Sequence, residues 1–258
     1  MLLAAPLALR AETYVVTIRT ATQRDAGSNA TGTDANVDIQ FIGSTGESEW
    51  VRLDRPGYNE FESGTNDSVS VTADDMGTLQ AIRLRHDNTG HKPGWAVEYV
   101  DVKKGTAPVK RAPCYRWLAS DEDDHAIQRE LAFEPAIVYS VRVTTANVDK
   151  AGTDANVYVR LASSQWDSYN RLLDDPSRDD FERGSIATYP LTFRNLGNPM
   201  ALTCHIGHDN TNKNAGWCVS EVLVTATYGS QQHLWRWRGQ QWLESSHCWA
   251  TLSLTREY

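Results

Sequence analysis

The sequence predicts an all-β protein made of two consecutive eight-stranded antiparallel β-sandwiches. Three observations support this prediction: a long internal repeat, alternation of apolar and polar residues, and clusters of turn-forming residues at short intervals. No segment of useful length has helical periodicity. The best candidate, Asp121–Glu130, is highly charged and is interpreted as a turn leading into a strand.

The internal repeat consists of short motifs that occur twice in the same order. The first two recur 120 residues later and the last two recur 122 residues later: Gly-Thr-Asp-Ala-Asn-Val at 32–37 and 152–157, Phe-Glu-x-Gly at 61–64 and 181–184, His-Asp-Asn at 86–88 and 208–210, and Gly-Trp at 94–95 and 216–217. Two extra residues between motifs are expected of a loop insertion. The chain is therefore predicted to hold two copies of one domain-sized unit, 12–134 and 135–258.

The predicted strands show a period of two. Ala35, Val37, Ile39 and Phe41 share one face, and the residues between them are polar, which is typical of a half-buried strand. Similar alternation, or a run of β-branched and aromatic residues, begins at these positions: Tyr14, Leu79, Trp95, Tyr139, Ala155 and Val219. Gly, Pro, Asn and Asp cluster between these segments. The join between the copies, near Pro135, leaves little linker.

The composition excludes some partners. The 258 residues carry a formal charge of −8 with a sequence pI of about 5.4, which argues against a nucleic-acid partner. No apolar run approaches the ~18–20 residues that span a bilayer, so no transmembrane segment is predicted. The first twelve residues are apolar without a basic region, and we interpret them either as the remnant of a targeting segment or as a hydrophobic arm.

The four cysteines lack metal-ligand spacing, so a structural zinc site is not expected. Cys204 and Cys218 flank a hairpin loop and could form a disulfide. Their first-copy counterparts are Ile82 and Ala96, which favours buried free thiols instead. Glycosylation sequons at Asn29 and Asn66 are also present.

The ordered motifs in each copy resemble the PLAT domain, a β-sandwich also found in lipoxygenases, pancreatic-type lipases and polycystins. Each copy has an opening strand, the Gly-Thr-Asp motif, Phe-Glu-x-Gly, a Leu/Met-Gly pair, His-Asp-Asn and Gly-Trp. Residues 112–131 also resemble the segment that closes each domain in tandem-PLAT proteins. Residues 233–252 keep only its Trp-Leu pair, so we expect an individual arrangement of the terminal strands in the second copy.

The resemblance implies that three loops converge at one end of each sandwich, where several family members bind metal ions. Calcium takes ~6–8 oxygen ligands, and a cation would offset the repulsion between clustered carboxylates. The candidate calcium ligands of the second copy are Asp149, Thr153, Asp154, Asp174, Asp175, Asp179, Asp180, Asp209 and Asn210. Those of the first copy, a poorer set, are Thr33, Asp34, Asp54, Asn59, Glu60, Asp87 and Asn88. The alternative is that these residues occupy turns for backbone reasons.

The sequence suggests structural roles for two histidines and two tryptophans, and a role in surface contact for two other tryptophans. His86 and His208 are expected to pack at a hairpin end or to hydrogen-bond the turn, with a metal role as the alternative. Trp95 and Trp217 each begin a strand and are expected in the core. The candidates for membrane or partner contact lie in polar loop sequences: Trp50 and Trp166.

The sequence predicts a protein that is not an enzyme, because it has no GxSxG, HExxH, P-loop or GxGxxG motif. It favours a binding module that attaches to a membrane protein or a lipid surface, with calcium as the cofactor. The alternative is a structural accessory subunit of a larger multiprotein assembly. A peripheral membrane-associated or extracellular location fits the first function, and a complex in an organelle or cilium fits the second.

Overall fold

The computed structural model describes residues 10–22, 30–134, 137–164, 167–197, 199–211, 216–228 and 230–257. These residues form 17 strands, every strand pair is antiparallel, and no helix occurs among them. The predicted all-β tandem sandwich is therefore confirmed. Within the same residues, no helix is long and apolar enough to cross a membrane. The described chain divides into two compact units, 10–134 with its gap and 137–257 with its gaps.

The first unit holds nine strands. They are β1 (Ala11–Thr20), β2 (Val37–Gly43), β3 (Gly46–Glu47), β4 (Val51–Arg52), β5 (Asn66–Asp74), β6 (Leu79–His86), β7 (Trp95–Lys104), β8 (Lys110–Leu118) and β9 (Gln128–Ala132). One sheet has the order β5-β1-β7-β8. The other has the order β3-β2-β6-β9, with β4 paired to β2. The charged segment 121–130 forms a turn that leads into β9, as predicted.

The second unit holds eight strands. They are β10 (Ile137–Thr145), β11 (Val157–Ala162), β12 (Arg171–Leu173), β13 (Ile186–Phe193), β14 (Ala201–His208), β15 (Trp217–Tyr228), β16 (Gln231–Leu243) and β17 (Trp249–Glu257). All eight belong to one continuous sheet with the order β12-β11-β14-β17-β16-β15-β10-β13. The sheet is continuous because β16 pairs with β17 over Leu234–Arg236. The terminal strands of this copy thus have their own arrangement, as its divergent sequence predicts.

A buried tryptophan occupies the matched position in the core of each unit. Trp95 and Trp217 are completely buried, which confirms their predicted core role. The indole Nε1 of Trp95 donates to Thr20 Oγ1 at 3.0 Å, and that of Trp217 donates to Thr145 Oγ1 at 3.1 Å. Each indole therefore buries a large apolar ring while its one polar atom remains hydrogen-bonded.

The cysteines of the second core are free thiols. Cys204 and Cys218 are both completely buried and do not form a disulfide, in agreement with the interpretation based on Ile82 and Ala96. Burial raises the pKa of the Cys204 thiol to about 12 and also raises the pKa of Cys218. Both side chains are therefore protonated, unreactive core residues near neutral pH.

In the first unit an ionic cluster joins the two sheets where the second unit uses strand pairing. Arg116 on β8 contacts both carboxylate oxygens of Asp123, with Nη2 2.7 Å from Oδ1. Arg129 on β9 donates through Nη2 to the Trp117 carbonyl on β8 at 2.7 Å and contacts Asp124 Oδ1 at 2.5 Å. The side chains of Arg116, Asp123 and Arg129 are less than a tenth exposed. This ionic clasp closes one side of the first sandwich.

Replacing Asp123 with Asn should destabilise the first unit by about 3 kcal/mol, because it leaves a buried guanidinium without its main counter-charge. The measurement is thermal or urea unfolding of the whole chain. Asp121→Asn is the matched control, since Asp121 lies in the same turn and is exposed. Equal stability of the two variants would show that the clasp contributes nothing.

Candidate functional site

Three loops meet at one end of the second unit: 146–156 between β10 and β11, 174–185 between β12 and β13, and the loop that begins at Asp209 after β14. The first two are joined by the Thr153 amide, which donates to the Phe181 carbonyl at 3.3 Å. Gly152 permits this approach, because a Cβ at this position would lie 3.1 Å from the Arg183 amide nitrogen. The third is attached through Asp209, which accepts the Asn156 amide at 3.2 Å.

The closest group of acidic side chains at this end is Asp154, Asp179 and Glu182, which we call the acidic triad. One carboxylate oxygen from each lies within 4.8 Å of the other two, and all three residues are exposed. Two oxygens that each lie ~2.4 Å from one Ca²⁺ can be at most ~4.8 Å apart, so this spacing fits a calcium ion. Asp154 and Asp179 belong to the predicted ligand set. Glu182 does not, although it lies inside the repeated Phe-Glu-x-Gly motif.

The acidic triad lies beside a cleft of about 1030 Å³. Two further predicted ligands, Asp149 and Asn210, line this cleft together with Asp154 and Glu182. The basic side chains Lys150 and Arg183 and the exposed Trp242 also line it. Glu244 lines it as well, so the cleft brings five carboxylate or amide side chains together with two cations and an aromatic ring.

The remaining predicted ligands of the long acidic loop are engaged in its turns. Asp175 Oδ1 accepts the Ser177 amide at 3.1 Å and the Ser177 hydroxyl at 2.6 Å, and these bonds lower the pKa of Asp175. Asp180 accepts the Asp175 amide at 2.6 Å and the Arg178 Nε at 2.6 Å. Asp174 lines a smaller cavity of about 140 Å³ beside Asp179. Asp175 and Asp180 therefore shape the loop that carries Asp179.

Asp209 and Thr153 also have local backbone roles. Asp209 accepts Asn156 Nδ2 at 2.7 Å and the Thr211 hydroxyl at 2.6 Å. Burial would raise the pKa of Asp209, but hydrogen bonds from Thr211 and Asn156 lower it. Thr153 is buried, and its Oγ1 accepts the Ala155 amide at 3.2 Å. These contacts fix the entry to β11 against Asp209 and Thr211, the first residues of the loop after β14.

The two matched histidines support the loops that follow β6 and β14. The sequence predicts these loops to be hairpins, but β6 does not pair with β7 and β14 does not pair with β15. His86 Nε2 lies 2.9 Å from the Leu118 carbonyl, and His208 Nε2 lies 3.3 Å from the Leu243 carbonyl. The amides of Asn88 and Asn210, both with φ 58°, donate to the Nδ1 atoms of these histidines at 3.1 Å. Burial lowers the pKa of His86, which keeps its imidazole neutral. The predicted hydrogen bonding to the turn is confirmed.

The first unit has a different set of side chains at the same positions. The counterparts of Asp154, Asp179 and Glu182 are Asp34, Asn59 and Glu62, and Asn59 Nδ2 donates to Glu62 Oε1. The amide of Asn59 therefore replaces the carboxylate of Asp179 and donates a hydrogen bond to the neighbouring Glu62.

The other predicted ligands of the first unit are hydrogen-bonded within it. Asp54 accepts the Val37 amide and Arg52, and burial raises its pKa. Glu60 accepts Arg55 Nε at 2.7 Å and is nearly buried. The remaining three predicted ligands also form hydrogen bonds. Thr33 Oγ1 donates to the Pro93 carbonyl, and the Ser120 hydroxyl donates to Asn88 Oδ1. Asp87 accepts hydrogen bonds from the side chains of Asn36 and Thr89.

The tryptophans proposed for surface contact are not the most exposed ones described. Trp50 is half-buried, and the Arg85 guanidinium lies 3.9 Å from its ring centroid. Trp166 lies outside the described residues. The exposed indoles are Trp242 and Trp249, at 40% and 41% exposure. They lie in the divergent terminal segment, whose strand pairing the sequence does not predict.

Known proteins share this pattern of motifs. The family model for the PLAT/LH2 domain matches residues 14–133 and 139–254. Lipoxygenase homology domain-containing protein 1 of Homo sapiens is 32% identical over 230 residues, which is 83% of this chain and 11% of that protein. The allene oxide synthase-lipoxygenase protein of Plexaura homomalla is 33% identical over 117 residues, 43% of this chain and 11% of that protein.

A solved coral 8R-lipoxygenase, described as activated by calcium through a C2-like domain, is 28% identical and covers 49% of this chain and 17% of its own, with a TM-score of 0.41. The chain spans only about a tenth of the length of the human relative. Its two family-model matches together cover most of its length, which confirms the resemblance of the motifs. The chain belongs to the PLAT/LH2 domain family.

Proposed function

We propose that the chain is a non-catalytic binding module that attaches to a membrane protein or a lipid surface, and that calcium bound by the acidic triad promotes this attachment. The observation that supports the proposal is the spacing of the three carboxylates, with oxygens within 4.8 Å of one another. PLAT domains are non-catalytic, and the sequence motifs of common hydrolases and nucleotide-binding enzymes are absent from the chain.

Asp154, Asp179 and Glu182 would hold the ion. Asp149 and Asn210 in the same cleft offer further oxygens, and water would supply the rest of the ~6–8 ligands. A bound Ca²⁺ would neutralise part of the charge that gathers at this end of the second unit. The proposal assigns calcium to the second copy, because Asn59 takes the central position in the first.

Calcium would matter for attachment because the chain carries a charge of −8. An anionic lipid surface repels such a protein unless a cation lies between them or apolar groups insert. Trp242 lines the cleft and is 40% exposed, so its indole lies where an interfacial aromatic residue would be useful. We propose a peripheral membrane location on this basis, and a structural subunit of a larger assembly remains the alternative function.

The function is tested by sedimentation with phosphatidylserine vesicles. We expect the protein to sediment in millimolar calcium and to remain in the supernatant with chelator. Failure to sediment in calcium, together with recovery of the native protein in a stoichiometric complex, would favour the structural alternative.

Asp179→Asn should abolish calcium binding, because it gives the second unit the side chain of the first at the central position of the acidic triad. Wild-type protein should melt several degrees higher in millimolar calcium, since a ligand held only by the folded state stabilises it. The variant should show no such shift. Asp175→Asn is the control: its amide oxygen can still accept from Ser177, so its calcium shift should match the wild type. A calcium shift retained by Asp179→Asn would refute the site.

The reverse exchange, Asn59→Asp, should introduce a calcium site in the first unit. The new carboxylate would face Glu62 in place of the amide that now donates to it, and the repulsion should lower stability in chelator. Calcium should restore that stability. Isothermal titration should then show two bound ions instead of one, and an unchanged stoichiometry would contradict the proposed equivalence.

A further inference from the structure

The second unit separates its charges between two regions. Residues 136–258 hold 12 acidic and 11 basic residues, and nine of the acidic ones lie in the loops and cleft of the acidic end. Elsewhere in the unit the acidic residues are Asp167, Glu221 and Glu257. The basic residues elsewhere are Arg142, Arg160, Arg171, Arg194, Arg236, Arg238 and Arg256. This part of an acidic protein is therefore locally cationic, and an anion would be attracted to it.

Three of these arginines converge on a single carboxylate. Glu221 on β15 accepts Arg142 Nη2 from β10 at 2.6 Å, Arg238 Nε from β16 at 2.7 Å and Arg236 Nη1 from β16 at 3.1 Å. Burial would raise the pKa of Glu221, but hydrogen bonds from Arg238 and Arg142 lower it to about 2. The carboxylate is therefore always ionised at physiological pH. It supplies one negative charge to three positive ones, and Glu257 supplies another at Arg236.

Leucine lies between two of these arginines. In the strand register Leu223 is directly opposite Arg142 on β10 and Arg236 on β16. Leu223 is 7% exposed, whereas the side chains of Arg142 and Arg238 are 40% and 66% exposed. Leu223 is therefore a buried apolar residue that separates guanidinium groups on the outer face of the sheet.

The corresponding strands of the first unit carry different side chains. The counterpart of Leu223 is Asp101, which pairs with Arg111 on the neighbouring strand through two contacts of 2.7 Å. The counterpart of Glu221 is Tyr99, and the Arg111 guanidinium lies 3.6 Å from its ring centroid. The first copy thus pairs one arginine with one carboxylate, whereas the second copy has leucine in place of Asp101, Glu221 in place of Tyr99, and three arginines around that glutamate.

We propose that Arg142, Arg236 and Arg238 form a docking surface for an acidic segment of a partner protein. Carboxylates of the segment would bind the guanidinium groups beside Glu221. An acidic peptide fits better than a membrane, because lipid-binding basic clusters need ~4–8 basic residues spread over a surface. Here three guanidiniums meet at one point, and each offers a planar fork that suits a carboxylate.

The test is fluorescence anisotropy with a labelled peptide of alternating glutamate and leucine, measured on the full chain in chelator so that the calcium site plays no part. Wild-type protein should bind this peptide and not its glutamine-leucine counterpart. Arg238→Gln, at a highly exposed position, should weaken binding about tenfold. Leu223→Asp, which introduces the residue of the first copy, should weaken binding similarly, because it places a carboxylate opposite Arg142 and Arg236. Glu221→Gln should strengthen binding several-fold, because it removes the competing carboxylate.

Arg183→Gln is the matched control, because it removes the same charge at the acidic end and should leave the affinity unchanged. Absence of peptide binding by the wild type would overturn the proposal, and so would equal weakening by Arg183→Gln. Sedimentation of the wild type with phosphatidylserine vesicles in chelator, lost in Arg238→Gln, would assign the surface to lipid instead. Because calcium is absent throughout, a failed calcium site does not affect these outcomes.

Discussion

The candidate calcium site depends on a close backbone contact between two loops of the second unit. The Thr153 amide donates to the Phe181 carbonyl, and a Cβ at Gly152 beside it would lie only 3.1 Å from the Arg183 amide nitrogen. Phe181 itself has φ 61°, a left-handed conformation that is uncommon for an aromatic residue. Its burial against Trp217, with ring centroids 5.1 Å apart, holds it there. The contact brings the loop that carries Asp154 next to the loop that carries Asp179 and Glu182.

The same contact occurs in the first unit, so at this end the two copies share the backbone contact and differ in the side chains around it. Gly32, Thr33 and Phe61 repeat the arrangement, with φ 63° at Phe61. The bonds at the loops after β6 and β14 also repeat, since Asp87 and Asp209 each accept a hydrogen bond from an asparagine side chain that precedes β2 or β11. Both copies thus have the backbone contact that could support a metal site, but the first has the amide of Asn59 where the second has the carboxylate of Asp179. A shared frame with different side chains allows the copies to have different partners.

The sequence was sufficient for the fold because the signals that specify it are local. Strict alternation in 35–41 and the buried Gly-Trp pairs identified strands and core without reference to distant residues. The candidate site was harder, because a sequence cannot show where a carboxylate points. Asp175 and Asp180 look like ligands by composition, yet their oxygens accept amides and hydroxyls of their own loop. Glu182 is not among the ligands predicted from the sequence, because its Phe-Glu-x-Gly motif identifies the repeat and does not indicate that its carboxylate faces Asp154 and Asp179.

The arginine surface could not be predicted either, because it is assembled from three strands. Arg142 and Glu221 are 79 residues apart, and their contact depends on a register that passes through a bulge near Val219. The pairing of β16 with β17 has a separate mechanical consequence. Pulling apart the layers of the second unit on that side requires breaking backbone hydrogen bonds of a continuous sheet. In the first unit the same separation breaks mainly the side-chain contacts around Arg116. Under tension the first sandwich is therefore expected to yield earlier, which would make it the weaker link if the chain carries load.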